Sequence, residues 1–274
     1  MAFCLVNDGK YKDLKYFIPD NLKNDKIAAA FTTRLGGVSG EDFVPLRSLN
    51  LAFKDIDTPE NVLKNYDIIA DILGFSVNNI VSLHQQHTDD IIICDKNYAA
   101  NHAFPAKDIA DAVITNIRGM LLSVKIADCV PVLFYDEKNM AIGAAHCGWR
   151  GTLKELQKKT ALKMAEIYGS ALDEIKVAVG ACISACCYEV SDDIFKEFYD
   201  KFGDFAEQFF EKKPNGKYNF DLKNINRQIL INNGIKAENI EISENCTFCE
   251  EDLFFSHRRD GEKRGTLAAF IGIR

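Results

Sequence analysis

The sequence predicts an α+β (mixed α/β) fold in one domain spanning 1–274. Three observations predict it. Short apolar, largely β-branched runs crowd residues 80–145 and read as strands. Well-capped helical segments lie on either side of them. Strands and helices do not alternate with the regular beat of a doubly wound sheet.

The elements follow in order. Lys26–Thr33 (KIAAAFTT) is a strand, ended by the glycine-rich turn Arg34–Gly40. Thr58-Pro59-Glu60 supplies a capping hydroxyl, a proline at N1 and an acid in the first turn. Val62, Tyr66, Ile69 and Leu73 continue that helix, and Gly74 ends it. Strands are expected at Ile80–Leu83, Ile91–Cys94, Ala110–Thr115, Leu121–Ile126, Val130–Tyr135 and Ala141–Ala145. Thr152 and Glu155 form a capping box opening a helix to Tyr168, stopped by Gly169. A strand at Ile175–Val179, helices at Ser191–Phe202 and Asp221–Asn233, and a strand at Thr266–Ile273 complete the reading. Pro214-Asn215-Gly216 marks a turn, not a domain boundary.

Composition narrows the function. The 274 residues carry a formal net charge of −7, which disfavours a general nucleic-acid binder. No apolar run is long enough to span a membrane. The start, MAFCLVNDGK, lacks the basic and apolar blocks of a signal peptide. A cytoplasmic protein, monomeric or a small homo-oligomer, is therefore expected. Its nine cysteines should be reduced thiols, since an odd count cannot pair completely.

Three segments place reactive side chains directly after or between apolar runs: Leu83–Thr88 (LHQQHT), Ala127–Pro131 (ADCVP) and Ala144–Thr152 (AAHCGWRGT). They hold three of the five histidines. Imidazole and thiolate together suit zinc or copper, and a His₂Cys set leaves one tetrahedral position open for chemistry. Packed core histidine and cysteine remain the commoner explanation of such residues taken singly.

Other features are weaker. Cys246-Thr-Phe-Cys249 is either a redox pair or half of a zinc site, but no second CxxC accompanies it. Cys182, Cys186 and Cys187 read as small residues in a tight turn. His257-Arg258-Arg259 with Lys263 and Arg264 is a basic cluster able to bind an anion or simply to face solvent. Arg34 with Gly36 and Gly37 can aim a guanidinium and backbone N–H groups at phosphate. Arg150, with Gly151 and Thr152 at a helix start, is a second anion-binding choice.

Taken in order, QQHTDDI, ADCVPVLFYD and AAHCGWRGT resemble the signatures of the YfiH-like, laccase-domain family, described as multicopper polyphenol oxidoreductases and as purine nucleoside phosphorylases with adenosine deaminase activity. FTTRLGGVS, SLNLAF, GACISACCYEV, DLKNINRQIL and ENCTFCEEDLFFSHRRDGEKRG extend the similarity over nearly the whole chain. The resemblance implies zinc held by His87, Cys129 and His146. It implies mixed sheets packed centrally with helices outside, similar to the cytotoxic-necrotizing-factor type. The implied reactions are phosphorolysis of inosine, guanosine, adenosine and methylthioadenosine, and deamination of adenosine.

Two departures stand out. The family pattern has Gly after the first histidine ligand, where this chain has Thr88, and its C-terminal Gly-Arg is reversed here as Arg264-Gly265. For the reaction itself, Arg34, Gly36 and Gly37 are the expected phosphate ligands, Arg150 the alternative, and Asp128 an orienting or proton-transfer group. Asp128 is equally able simply to bond a strand end. The rival activities are a copper phenol oxidase, which five histidines without a His-x-His serve poorly, and a thiol hydrolase with Cys129 as nucleophile and His146 as base. A non-catalytic role in partner binding finds no support in composition.

Overall fold

A computed structural model describes residues 4–7, 9–40, 44–105 and 107–274. Part of the N-terminal segment judged above for a signal peptide, residues 1–3 and 8, lies outside the described residues.

Two six-stranded mixed sheets dominate. The first runs in the order Cys4–Asn7, Lys15–Ile18, Ile27–Thr32, Leu267–Ile273, Leu121–Ile126, Ile80–Val81, all neighbours antiparallel except the last pair. The second runs Ile240–Ile242, Lys176–Val179, Val130–Asp136, Ala141–Cys147, Ala112–Thr115, Ile91–Ile93, parallel at both edges and antiparallel within. A small third sheet joins Glu189–Val190, Tyr218–Phe220 and Phe210–Lys212.

Side-chain alternation explains why the strands read as unbroken apolar runs. Along Ile27–Thr32, Ala29 and Phe31 enter a core shared with the second sheet, while Ala28 and Ala30 pack outward. Along Val130–Asp136, Leu133 and Tyr135 meet that shared core, while Val132 and Phe134 face the opposite layer. Both faces are covered, so no polar alternation survives in the sequence. The outer layer over the first sheet is the helix Pro59–Leu73, through Val62, Tyr66 and Ile69. Leu156–Tyr168 and Leu222–Asn232 cover the second.

Helix ends largely follow local chemistry. Thr58 accepts a hydrogen bond from the Asn61 N–H, and Gly74 closes the helix at φ 82°. Asp221 caps the helix Leu222–Asn232 through Asn224 N–H. The expected capping box fails. A five-residue helix, Trp149–Leu153, precedes the longer one, and Glu155 sits between them at φ 58°. Thr152 therefore lies inside the first helix. Its hydroxyl accepts from Asn226 Nδ2 at 2.8 Å instead of capping. Tertiary pairing with the Leu222–Asn232 helix outweighs the local motif.

Candidate metal centre and cleft

The two sheets meet in sequence at Ala127-Asp128-Cys129, which carries the chain from the Leu121–Ile126 strand of one to the Val130–Asp136 strand of the other. Cys129 thus sits at the seam. His146 lies on the neighbouring strand of the second sheet, where Pro131 pairs with it. His87 arrives from the loop after Ile80–Val81, an edge strand of the first sheet. One ring nitrogen of each imidazole and the Cys129 sulfur lie within 4.8 Å of one another. Cys129 Sγ and His87 Nε2 are 3.8 Å apart, and the two imidazole centroids 5.0 Å apart.

Gly148 makes this approach possible. A Cβ there would sit 2.9 Å from both Cys129 Sγ and His87 Cδ2. The glycine belongs to the AHCGW segment because a side chain would fill the space between ligands.

Asp111 organises the imidazoles. Its buried carboxylate accepts from His146 Nδ1 at 2.7 Å, which leaves Nε2 free to bind a metal. It also accepts from Gln86 N–H at 3.1 Å, Thr88 N–H at 2.7 Å and the Thr88 hydroxyl at 3.0 Å. These bonds hold His87 between them at φ 58°. Thr88, standing where the family pattern has glycine, adds a hydroxyl bond to the same carboxylate. Burial raises the Asp111 pKa, but the His146 hydrogen bond and charge, with the two backbone N–H groups, hold it at about 2.

The same balance acts on the sulfur. Burial opposes the thiolate at Cys129, yet the charge and hydrogen bond of His146, helped by His87, bring it to about 6. Burial likewise opposes a charged His146, and Cys129 and Asp111 overcome it, lifting the imidazole to about 9. The two shifts describe a thiolate–imidazolium pair; a metal ion would displace the His146 Nε2 proton, since thiolate and neutral imidazole are the binding forms.

The ligand set opens into a cleft of about 610 Å³. Trp149, Tyr188, Lys125 and Arg264 are among its walls. Arg150 also lines it, with its guanidinium 4.1 Å over the Trp149 ring. Lys125 donates to the Leu83 carbonyl at 2.6 Å, and burial, partly offset by Asp111, pulls its pKa down to about 8. Arg264 donates to Thr266 Oγ1 at 2.8 Å, while its buried Nε has no hydrogen-bond partner among the described residues. Lys54, at the same cleft, is lowered by burial and by the Arg264 charge.

Arg34, Gly36 and Gly37 are not brought to this cleft. The Arg34 guanidinium donates to the Arg47, Glu251 and Val44 carbonyls at 2.9, 3.0 and 3.0 Å and lies 4.7 Å over the Phe255 ring. The Gly37 N–H is taken by Ser48 Oγ at 3.1 Å, and Gly36 packs against the Leu14 backbone. Among the described residues this turn is bonded to its own chain, away from the cleft. Asp128 lines the cleft, but its oxygens are engaged elsewhere. Oδ1 accepts from Thr247 Oγ1 at 2.6 Å, and Oδ2 from Ser256 Oγ at 3.0 Å and Arg258 N–H at 2.7 Å. It fixes the start of the short helix His257–Asp260, which carries Arg258.

Asp111, Gly148, Lys125 and the cleft position of Arg264 escaped sequence reading. For Asp111 the available signal was a carboxylate directly before an apolar run, a pattern shared with ordinary strand starts.

A helix-covered pair of mixed sheets with a three-ligand centre at their seam defines the class to which comparison with known proteins also points. Residues 28–274 match the family model described as multi-copper polyphenol oxidoreductase laccase, and the chain belongs to that YfiH-like family. It is 34% identical over 257 residues to purine nucleoside phosphorylase YlmD of Bacillus subtilis, covering 93% of this chain and 91% of that one. It is 30% identical over 257 residues to adenosine deaminase RL5 from an unknown prokaryotic organism, covering 93% and 96%. The crystal structure of Bacillus licheniformis YfiH superposes with a TM-score of 0.87 at 33% identity, covering 97% of this chain and 98% of that one. Among the described residues no helix is long and apolar enough to cross a membrane.

Proposed function

We propose that the protein is a zinc-dependent purine nucleoside phosphorylase that also deaminates adenosine. The observation that carries this reading is the convergence of His87, Cys129 and His146 on one point of a nucleoside-sized cleft with a cationic wall. The names of the similar proteins supply the substrate class. The donor set fits zinc: two imidazoles and a thiolate, a glycine that clears the space between them, and a carboxylate that fixes one tautomer. A bound zinc would supply Lewis-acid polarisation at the position these three ligands leave open.

The chain's own residues account for the rest. In phosphorolysis a phosphate oxygen bonds to C1′ of the ribose, the C1′–N9 bond breaks, and its electron pair leaves on the purine. Arg264 and Lys54 are the groups we assign to phosphate, in place of Arg34, Gly36 and Gly37. Arg150 is the remaining candidate from sequence. Lys125, poised near neutrality, is assigned to proton donation to the departing base. Trp149 and Tyr188 line the cleft and are the aromatic groups we assign to contact with the base. Asp128 acts as a positioning residue for Arg258. Methylthioadenosine and guanosine are further substrates on this reading.

Hypoxanthine release from inosine, with and without phosphate, tests it. Release should depend strictly on phosphate and disappear in Cys129→Ala. Equal release without phosphate would make the protein a hydrolase. A thiol-hydrolase reading is favoured by the matched Cys129 and His146 pair. It predicts activity that survives complete removal of metal. Copper in stoichiometric amount, with phenol oxidation, would support the oxidase instead.

A further inference from the structure

We propose a second metal centre, a closed four-thiolate zinc site formed by Cys186, Cys187, Cys246 and Cys249, separate from the cleft. The four sulfurs all lie within 4.8 Å of one another. Cys186 is 3.5 Å from Cys187, 3.7 Å from Cys249 and 3.9 Å from Cys246, and Cys187 is 3.2 Å from Cys249. A tetrahedral zinc bound at its usual distance to sulfur sets its ligands about 3.8 Å apart. The cluster already has nearly that spacing. None of the four is in a disulfide.

The missing half of the motif is what hid it. Cys246 and Cys249 form a CxxC, and no second CxxC follows. The partners are instead the adjacent pair Cys186–Cys187, in the turn after the Lys176–Val179 strand. Backbone pairing brings the turns together: Cys182 bridges Cys246, and Thr247 N–H donates to the Cys182 carbonyl at 3.0 Å. Ser184 N–H points at Cys246 Sγ from 3.4 Å, the outer hydrogen bond a metal-bound thiolate accepts. Four protein ligands leave no open position, so this zinc is structural, not catalytic.

Its place explains its use. Tyr188, next to Cys187, lines the cleft beneath the Arg258 guanidinium, 5.3 Å away. Thr247, between the other two cysteines, donates to Asp128. Arg259 donates to the Thr247 and Phe248 carbonyls, both at 3.0 Å. The ion would tie the turn that carries the cleft residues Ile183 and Tyr188 to the 246–249 turn behind it, which bonds Asp128 and Arg259. This assignment stands whatever the cleft catalyses.

Metal analysis of the full chain purified without chelator, from zinc-supplemented growth, tests it. Wild type should carry two zinc ions per chain. Cys129→Ser should keep one, and the double variant Cys246→Ser/Cys249→Ser should keep the other. If that double variant does not fold, the cobalt-substituted wild type replaces it as the measurement. Most of its thiolate-to-cobalt charge-transfer absorption should then persist in Cys129→Ser. A single zinc lost entirely in Cys129→Ser, a disulfide among the four cysteines in native mass spectrometry, or a ferric tetrathiolate chromophore would each overturn the assignment.

Discussion

Asp111 holds His146 Nδ1 at 2.7 Å while the same carboxylate receives the N–H groups on either side of His87. One buried anion therefore orients both imidazoles of the candidate metal centre. Asp111→Asn keeps the size but replaces one acceptor oxygen with an NH₂ donor, which must face either His146 Nδ1–H or the Gln86 and Thr88 N–H groups. Zinc affinity should fall roughly 10- to 100-fold, the usual cost of losing an outer partner of a ligating histidine. Chelator competition against wild type measures it, and unchanged affinity would remove Asp111 from this role.

Gly148→Ala should empty the centre without unfolding the protein. The added methyl meets the Cys129 sulfur and the His87 ring at 2.9 Å. The exposed route for relief is displacement of His87, which lies in a loop. Metal content should drop sharply while circular dichroism stays near wild type.

Lys125 sets a pH limit. Its ammonium is held at about 8, so the protonated donor is present below that pH and lost as pH rises through it. Phosphorolysis should show an alkaline limb near pH 8 that is absent from the residual activity of Lys125→Met. Linkage gives the stability sign. Between about 8 and the ordinary lysine value of 10.5 the unfolded chain binds more protons at this position, so Lys125 makes stability rise with pH there. Melting curves of wild type and Lys125→Met across that window should converge.

Arg264 and Arg34 separate phosphate binding from structure. Arg264→Met should raise the KM for phosphate roughly tenfold or more, the worth of one charge-assisted hydrogen bond. Arg34→Met should leave that KM near wild type and lower the melting temperature, because three hydrogen bonds to loop carbonyls are lost. The reverse pattern would return phosphate to the glycine turn.

Asp128→Asn turns an amide toward groups that all donate: the Thr247 and Ser256 hydroxyls and the Arg258 N–H. A loss of about 1–3 kcal/mol in urea unfolding is expected from the unmatched bonds. A pH profile unchanged in shape should accompany it if the carboxylate only positions Arg258, and a changed profile would return proton transfer to Asp128.

What the sequence disclosed, and what it hid, follows from the range of each signal. His87, Cys129 and His146 are legible because polar residues interrupt apolar runs, and the family motifs carry all three. The strands flanking them are legible for the same reason. The Thr58 cap and the Gly74 stop are local and survive folding. The Thr152–Glu155 box is also local, but Asn226, distant in sequence, claims the Thr152 hydroxyl. Arg34 misleads because an arginine beside a glycine turn looks alike whether it faces a ligand or its own carbonyls. Asp111 and the Cys186–Cys187 pair are silent because their partners are brought to them only by the tertiary fold. Short strands such as Tyr218–Phe220 and Ile240–Ile242 leave too few residues for a pattern.

The seam at Ala127–Cys129 has a thermodynamic consequence. Each sheet by itself owns an incomplete donor set, so neither can retain the ion alone. Occupancy then rewards only the fully docked molecule, and tight loading should merge any separate loosening of the two layers into one cooperative melt whose midpoint climbs with free zinc.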